Sequence, residues 1–137
     1  MKEFDFRLAQ DYELKSNISW VDENYDELIE AMKTPMPYQH CNEFFDNNMA
    51  MMDTVFKGFT KKTCLESSPG FCGALSFWKP RMKGQLIAID PLIFQYDEYL
   101  KAKGKSWFDG IEKVDSTAET LLPFLVGKVD GFIFWRN

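Results

Sequence analysis

The sequence predicts an α/β protein built on a mostly parallel sheet of about four strands, with helices on its N-terminal side. Two observations lead to this fold class. From about residue 60 to residue 137, short apolar runs alternate with segments of helical periodicity, which is typical of βαβ units and a parallel sheet. In addition, GQLIAID at 84–90 is apolar almost throughout, as expected of a strand buried on both faces.

The C-terminal half supplies the strands and the helices between them. The predicted strands are KTCLE (62–66), GQLIAID (84–90), GIEKVD (110–115) and KVDGFIFWRN (128–137). The predicted helical segments are GFCGALSFW (70–78), PLIFQYDEYLKAKG (91–104) and a short turn in STAETLLPFLVG (116–127). We expect Pro80 to end the first helix and Gly104 the second. The apolar side of the second helix consists of Leu92, Ile93, Tyr96, Tyr99 and Leu100.

The N-terminal half, residues 1–60, is predicted to form a helical cap on a partial cofactor-binding domain at 61–137. Residues 1–18 show no clean period and are expected to be an irregular arm. SWVDENYDELIEAMKTP (19–35) predicts a helix in which Ser19 and Asp22 resemble a capping box. QHCNEFFDNNMAMMDTVFKGF (39–59) predicts a second helix that ends near Gly58.

Charge and composition argue against several classes of partner and site. The formal net charge is −5, which argues against a nucleic-acid backbone as the main partner. His40 is the single histidine, so a histidine-based metal site is not expected. The N-terminus lacks the apolar core of a signal peptide, and no stretch approaches the roughly 20 apolar residues of a membrane span. The default prediction is a cytoplasmic protein without a membrane partner.

The candidate site lies where the predicted parallel strands end, because open parallel sheets bind ligands beyond their carboxyl ends. Asp90 ends the most apolar strand and is expected at that edge. Its carboxylate could accept hydrogen bonds from a ribose diol. Equally, Asp90 could cap the helix that starts at Pro91. The spacing by itself leaves both interpretations open.

The loop after the first strand favours one cofactor class over another. Gly70 and Gly73 keep the spacing of the last two glycines of a dinucleotide loop, whereas Ser68 replaces the first. Glu66 stands at the end of the strand. A carboxylate there would repel a pyrophosphate and would suit a ligand that carries an ammonium group. A nicotinamide-dependent oxidoreductase is therefore the weaker alternative.

Four segments resemble, in order, the motifs of class I S-adenosylmethionine-dependent methyltransferases, which have a Rossmann-like fold. They are CLESSPGFCGAL (64–75), LIAIDPL (86–92), STAETLLPF (116–124) and VDGFIFWRN (129–137). In the first segment, Ser68 and Cys72 stand where the family has glycines. The resemblance covers roughly the second half of the chain and implies transfer of a methyl group from S-adenosylmethionine to a small-molecule acceptor.

The resemblance also implies which residues bind the cofactor. The loop after the first strand would hold the methionine part, Asp90 the ribose hydroxyls, and the segment around Ala118 the adenine. The residues so assigned are Glu66, Ser68, Gly70, Gly73, Asp90, Pro91, Leu92, Thr117, Ala118, Glu119, Arg136 and Asn137. Tyr38 and His40, on the turn before the predicted second helix, are the candidates for a catalytic role.

Two features of the chain leave an alternative to catalysis. The family has seven strands, and this sequence supplies four, so we expect either a fragment of a longer product or a dimer or other partner that covers the apolar edge of the fourth strand. The missing strands and the substituted glycine loop also fit a non-catalytic Rossmann-like interaction domain, which is the alternative to a methyltransferase.

Overall fold

The computed structural model describes residues 5–33, 54, 57–71, 73–104 and 106–134. Its centre is a four-stranded sheet in which each pair of neighbouring strands is parallel. The strands are β1 (Cys64–Ser67), β2 (Leu86–Ile89), β3 (Glu112–Val114) and β4 (Gly131–Phe134), and the helices are α1 (Phe6–Lys33), α2 (Ala74–Trp78), α3 (Ile93–Ala102) and α4 (Ala118–Leu125).

The strand order is β3-β2-β1-β4. The chain moves outward from β1 through β2 to β3 and then returns to the other side of β1. In a parallel sheet such a reversal opens a crevice at the carboxyl ends of the strands. The predicted α/β Rossmann-like class is therefore confirmed, together with the N-terminal helix.

Alternate residues of the strands face two separate apolar layers, as the two-residue period of a strand requires. Cys64, Leu86 and Ala88 belong to the larger core, which α1 and α3 cover. Leu65, Ile87 and Ile89 form the smaller core on the opposite face, against which residues of α4 pack. Because β1 and β2 are buried at every position, their sequences lack the polar alternation of a half-exposed strand.

Helix α1 is longer than the sequence predicted. It runs continuously from Phe6 to Lys33, so the expected irregular arm at 1–18 and the capping box at Ser19 are wrong within the described residues. The helix begins beside Asp5, whose carboxylate accepts a hydrogen bond from the Leu8 amide at 3.1 Å. Its apolar stripe, spaced by three or four residues, packs on the larger core and consists of Leu14, Ile18, Val21, Tyr25 and Ile29.

Two expectations about the next helices hold, and one is wrong. Helix α2 starts only at Ala74, so the predicted start at Gly70 is wrong: Gly70 and Phe71 lie in the loop before the helix. As expected, the helix ends before Pro80, which lies in the 3-10 turn that follows. In α3, Ile93, Tyr96 and Leu100 are fully buried as predicted. Gly104 follows this helix with φ of 112°, a conformation that suits a C-terminal stop.

The predicted helix at 39–59 lies mostly outside the described residues. Only residues 54 and 57–59 of it are described, and Gly58 lies in a 3-10 turn at Lys57–Phe59. Among the described residues, no helix combines the length and apolarity needed to cross a membrane.

Candidate functional site

A cleft of about 480 Å³ lies at the carboxyl ends of β1 and β2. The ends of these strands and the first turn of α4 form one side, and the N-terminal half of α1 forms the other. Its volume falls within the roughly 300–1,000 Å³ of small-molecule sites. The lining residues are Phe6, Ala9, Gln10, Glu13, Ser67, Ser68, Asp90, Pro91, Leu92, Thr117, Ala118 and Glu119.

The structure brings together more than half of the residues that the resemblance assigned to the cofactor. Those in the cleft wall are Ser68, Asp90, Pro91, Leu92, Thr117, Ala118 and Glu119. Glu66, Gly70 and Gly73 do not line it but lie in or beneath the loop that shapes it. Tyr38, His40, Arg136 and Asn137 lie outside the described residues.

Asp90 joins the loop after β1 to the start of α3. One carboxylate oxygen accepts the Leu92 amide at 2.9 Å, and the other accepts the Gly70 amide at 3.3 Å. The side chain is almost fully buried, and burial raises its pKa even though both amides lower it. A carboxylate has about four lone-pair sites, so two remain for a ligand in the cleft. The capping contact and a ribose contact are thus compatible.

Glu66 has a structural role that the sequence did not predict. Its carboxylate lies inside the protein and accepts the first two amides of α2, from Ala74 at 2.7 Å and from Leu75 at 3.0 Å. Helix N-termini present such unsatisfied N–H groups. Gly73 makes room for this contact, because a Cβ there would lie 2.4 Å from either oxygen of Glu66. Burial raises the pKa of Glu66 to about 7.

The loop between β1 and α2 turns sharply through two residues of positive φ, Ser68 at 55° and Gly70 at 60°. The left-handed conformation of Ser68 is costly for a residue with a Cβ, so glycine would be the less strained residue at this position. The Ser68 amide donates to the carbonyl of Ile89 at 2.8 Å, which keeps the turn on the sheet.

Phe71 anchors the other end of this loop in the core. It is 4% exposed, and its ring centroid lies 4.4 Å from that of Tyr96 and 5.7 Å from that of Tyr99. Both tyrosines belong to α3. Aromatic contacts of this kind stabilise beyond simple area burial. The loop is thus held at Ser68 by the sheet and at Phe71 by α3.

The first turn of α4 supplies the wall opposite α1. Thr117 stands just before the helix, and its hydroxyl pairs with that of Thr120 at 2.8 Å rather than capping a backbone amide. Ala118 is buried, whereas Glu119 is exposed at the cleft. The segment therefore offers a small apolar surface flanked by polar groups.

The α1 side of the cleft was missed because residues 1–18 were expected to be irregular. Four residues of α1 line the cleft: Phe6, Ala9, Gln10 and Glu13. Positions three or four residues apart lie on the same face of a helix, so these four share one face. This second face follows from the helical period only once α1 is known to begin at Phe6. Where the helix lies on the sheet could not have been derived that way.

Charge in the cleft is strongly one-sided. Three carboxylates line it, from Glu13, Asp90 and Glu119, and none of the described lining residues is Lys or Arg. Glu13 and Asp115 both raise the pKa of Asp90 by their negative charge, in addition to the larger effect of burial. Within the described part of the chain, no group of three potential ligands is arranged to hold a metal ion. The cleft is therefore suited to a neutral or cationic ligand rather than to a phosphate.

No protein-family model matches the sequence, and no curated protein matches it.

Proposed function

We propose that this chain binds S-adenosylmethionine in the cleft and belongs to a methyltransferase that acts on a small-molecule acceptor. One observation carries the proposal: an acidic cleft without a described basic residue lies at the carboxyl ends of β1 and β2, with Asp90 among its lining residues. The sequence resemblance supplies the identity of the cofactor, and the structure supplies a site whose size and charge suit it.

The residues present fit the cofactor. Asp90 keeps two lone-pair sites for ribose hydroxyls after its two backbone contacts. Leu92 and Ala118 offer apolar surface for the adenine, and Ser68, which lines the cleft, would lie beside the methionine part. Glu66 is committed to the amides of α2, so its proposed influence on the ammonium group would be indirect.

The charge of the cleft separates this function from the nicotinamide alternative. A pyrophosphate carries two negative charges and needs basic side chains or a free helix N-terminus. Here the first two amides of α2 are already taken by Glu66. S-adenosylmethionine carries a sulfonium and an ammonium group, which the three carboxylates of the cleft would attract.

When bound, the cofactor would supply an activated methyl group on a sulfonium. The chain would then contribute mainly orientation and exclusion of water, which can provide much of the barrier reduction in a displacement reaction. Asp90 would fix the ribose, and the α1 wall would limit the approach of the acceptor. These contributions need no acid or base when the acceptor is already a good nucleophile.

The non-catalytic alternative rests on a specific observation. Glu66, Asp90 and Ser68 each make backbone contacts that stabilise the loop and its neighbours without any ligand. The same three residues could therefore serve a domain that only folds and associates. Cofactor binding separates the two functions.

The first prediction concerns Asp90. We expect micromolar binding of S-adenosylmethionine by calorimetry, and weakening by about tenfold or more in Asp90→Asn, because a diol acceptor loses its charge. NADH should bind neither protein. The control is Asp26→Asn, which makes the same change on the exposed surface of α1. No binding to the wild-type chain would contradict the proposed function and favour the non-catalytic domain.

A further inference from the structure

Helix α1 forms one wall of the cleft through its polar face, and Glu13 is the charged residue there. Its carboxylate is exposed at the cleft and lies close enough to Asp90 to raise the pKa of that group. No ion pair of Glu13 or Asp90 with a described basic residue is present. Two carboxylates that face one space without a cation repel each other, and a positively charged ligand would relieve that repulsion.

The position of Glu13 is set by α3 and not by α1 alone. Tyr96 is fully buried, and its hydroxyl accepts a hydrogen bond from the side-chain amide of Asn17 at 2.8 Å. The same hydroxyl donates to Glu13 across a longer distance of 3.4 Å. The Tyr96 ring also packs on Phe71 of the loop after β1. One side chain therefore contacts both the α1 wall and the loop that shapes the cleft.

We propose that Glu13 is a specificity-determining residue that contacts the cationic group of the ligand, and that Tyr96 is the positioning residue that holds it beside Asp90. This inference rests on the proposed function and extends it to α1, a helix for which the resemblance assigned no role. The cationic group is either the sulfonium or the ammonium of S-adenosylmethionine.

The test compares S-adenosylmethionine with S-adenosylhomocysteine, which keeps the ammonium but lacks the sulfonium charge. We expect Glu13→Gln to weaken binding of S-adenosylmethionine about fivefold in calorimetry at low salt, since the lost attraction is that of one partly solvated charge pair. An equal loss for S-adenosylhomocysteine would assign the contact to the ammonium. A loss confined to S-adenosylmethionine would assign it to the sulfonium.

The role of Tyr96 is tested in the same assay. Tyr96→Phe keeps the ring on Phe71 and removes only the hydroxyl, so we expect a loss smaller than that of Glu13→Gln. The double variant should bind no more weakly than Glu13→Gln alone, because the hydroxyl acts through Glu13. A purely structural role of Tyr96 would instead give additive losses in the double variant.

Glu27→Gln is the matched control, since it removes the same charge from an exposed position on α1 outside the cleft. Unchanged affinity in Glu13→Gln, with a wild-type chain that binds, would overturn this inference and leave the proposed function intact. A wild-type chain that binds neither ligand would overturn both.

Discussion

Gly73 lies against the Glu66 carboxylate, and the contact leaves no space for a side chain. A Cβ at this position would approach both carboxylate oxygens to 2.4 Å. The carboxylate could move only by releasing the amides of Ala74 and Leu75, which are buried at the start of α2. The need for glycine here is thus steric, whereas at Gly70 it arises from the positive φ.

We therefore expect Gly73→Ala to lower the free energy of unfolding by about 2–3 kcal/mol, the cost of leaving buried polar groups unsatisfied. Urea denaturation measures the change. Gly58→Ala is the control, because a Cβ there meets nothing within 4 Å and φ is not positive. Equal stability of the two variants would show that Glu66 does not hold α2 as described.

The raised pKa of Glu66 should make the free energy of unfolding depend on pH. Burial raises its pKa to about 7 in the folded protein, above the ordinary value of 4.5. The folded state therefore binds the proton more tightly than the unfolded state. The resulting stability is fully present below the unfolded pKa and is lost as pH rises through about 7.

Glu66→Gln should remove this dependence. Between pH 5 and pH 7.5 we expect the unfolding free energy of the wild type to fall relative to the variant by about 2–2.5 kcal/mol, since each pKa unit corresponds to about 1.4 kcal/mol. Urea titrations of both proteins at the two pH values give the difference. Parallel pH profiles would contradict a buried, titrating carboxylate.

At the scale of elements, Asp97 of α3 ties its helix to β3 and to the segment between them. Its carboxylate accepts Lys113 of β3 at 2.8 Å and Lys101 one turn along α3 at 2.7 Å. Ser106 donates a further hydrogen bond to it, and the Ser106 hydroxyl in turn accepts the Phe108 amide at 3.1 Å. Although burial raises the pKa of Asp97, these three donors together lower it to about 2.

Asp97→Asn should destabilise the protein at pH 7 by about 2 kcal/mol, because the buried side chain loses the charge that its hydrogen bonds from Lys113, Lys101 and Ser106 depend on. Thermal and urea unfolding measure the loss. The lowered pKa also means that this contribution is present above the ordinary carboxyl range and is lost as pH falls through about 2. Glu98→Gln, exposed on the same helix, is the control and should change stability by less than about 0.5 kcal/mol.

Helix α1 shows how one element serves the core and the cleft with different faces. Val21 is fully buried, and Leu14 and Ile18 pack on the larger core. Gln10 and Glu13 line the cleft instead. The length of the helix is what allows both. Its C-terminal part packs on the larger core and contacts the end of α3 through Asp22 and Tyr25, while its N-terminal part reaches the carboxyl ends of the strands.

At the scale of the whole molecule, the strand order β3-β2-β1-β4 places residues from four separate parts of the sequence around one space. Phe6 and Glu13 come from α1, Ser68 from the loop after β1, Asp90 from the end of β2, and Thr117 from the start of α4. The parallel pairing of β2 with both β1 and β3 sets this arrangement, because it brings the carboxyl ends of the three strands to the same edge of the sheet. The location of the cleft is thus a consequence of topology.

Much of the sheet could be predicted from the sequence, because strands buried on both faces are recognisable as short apolar runs between turn residues. Leu86–Ile89 is such a run, and the structure has a strand there with every residue buried. Asp90 could be placed at the carboxyl edge for the same reason. The start of α1 could not be located, since the first residues alternate apolar and charged positions without a clear period.

The sequence by itself determined the α/β class, the order of the strands along the chain and the acids that follow them. Local periodicity and turn chemistry carry that information. Only the tertiary structure decided that Glu66 turns inward to α2, that Glu13 faces Asp90, and that Tyr96 contacts both the loop and α1. These contacts join residues far apart in sequence, and their geometry depends on how helices pack on the sheet, which no local pattern specifies.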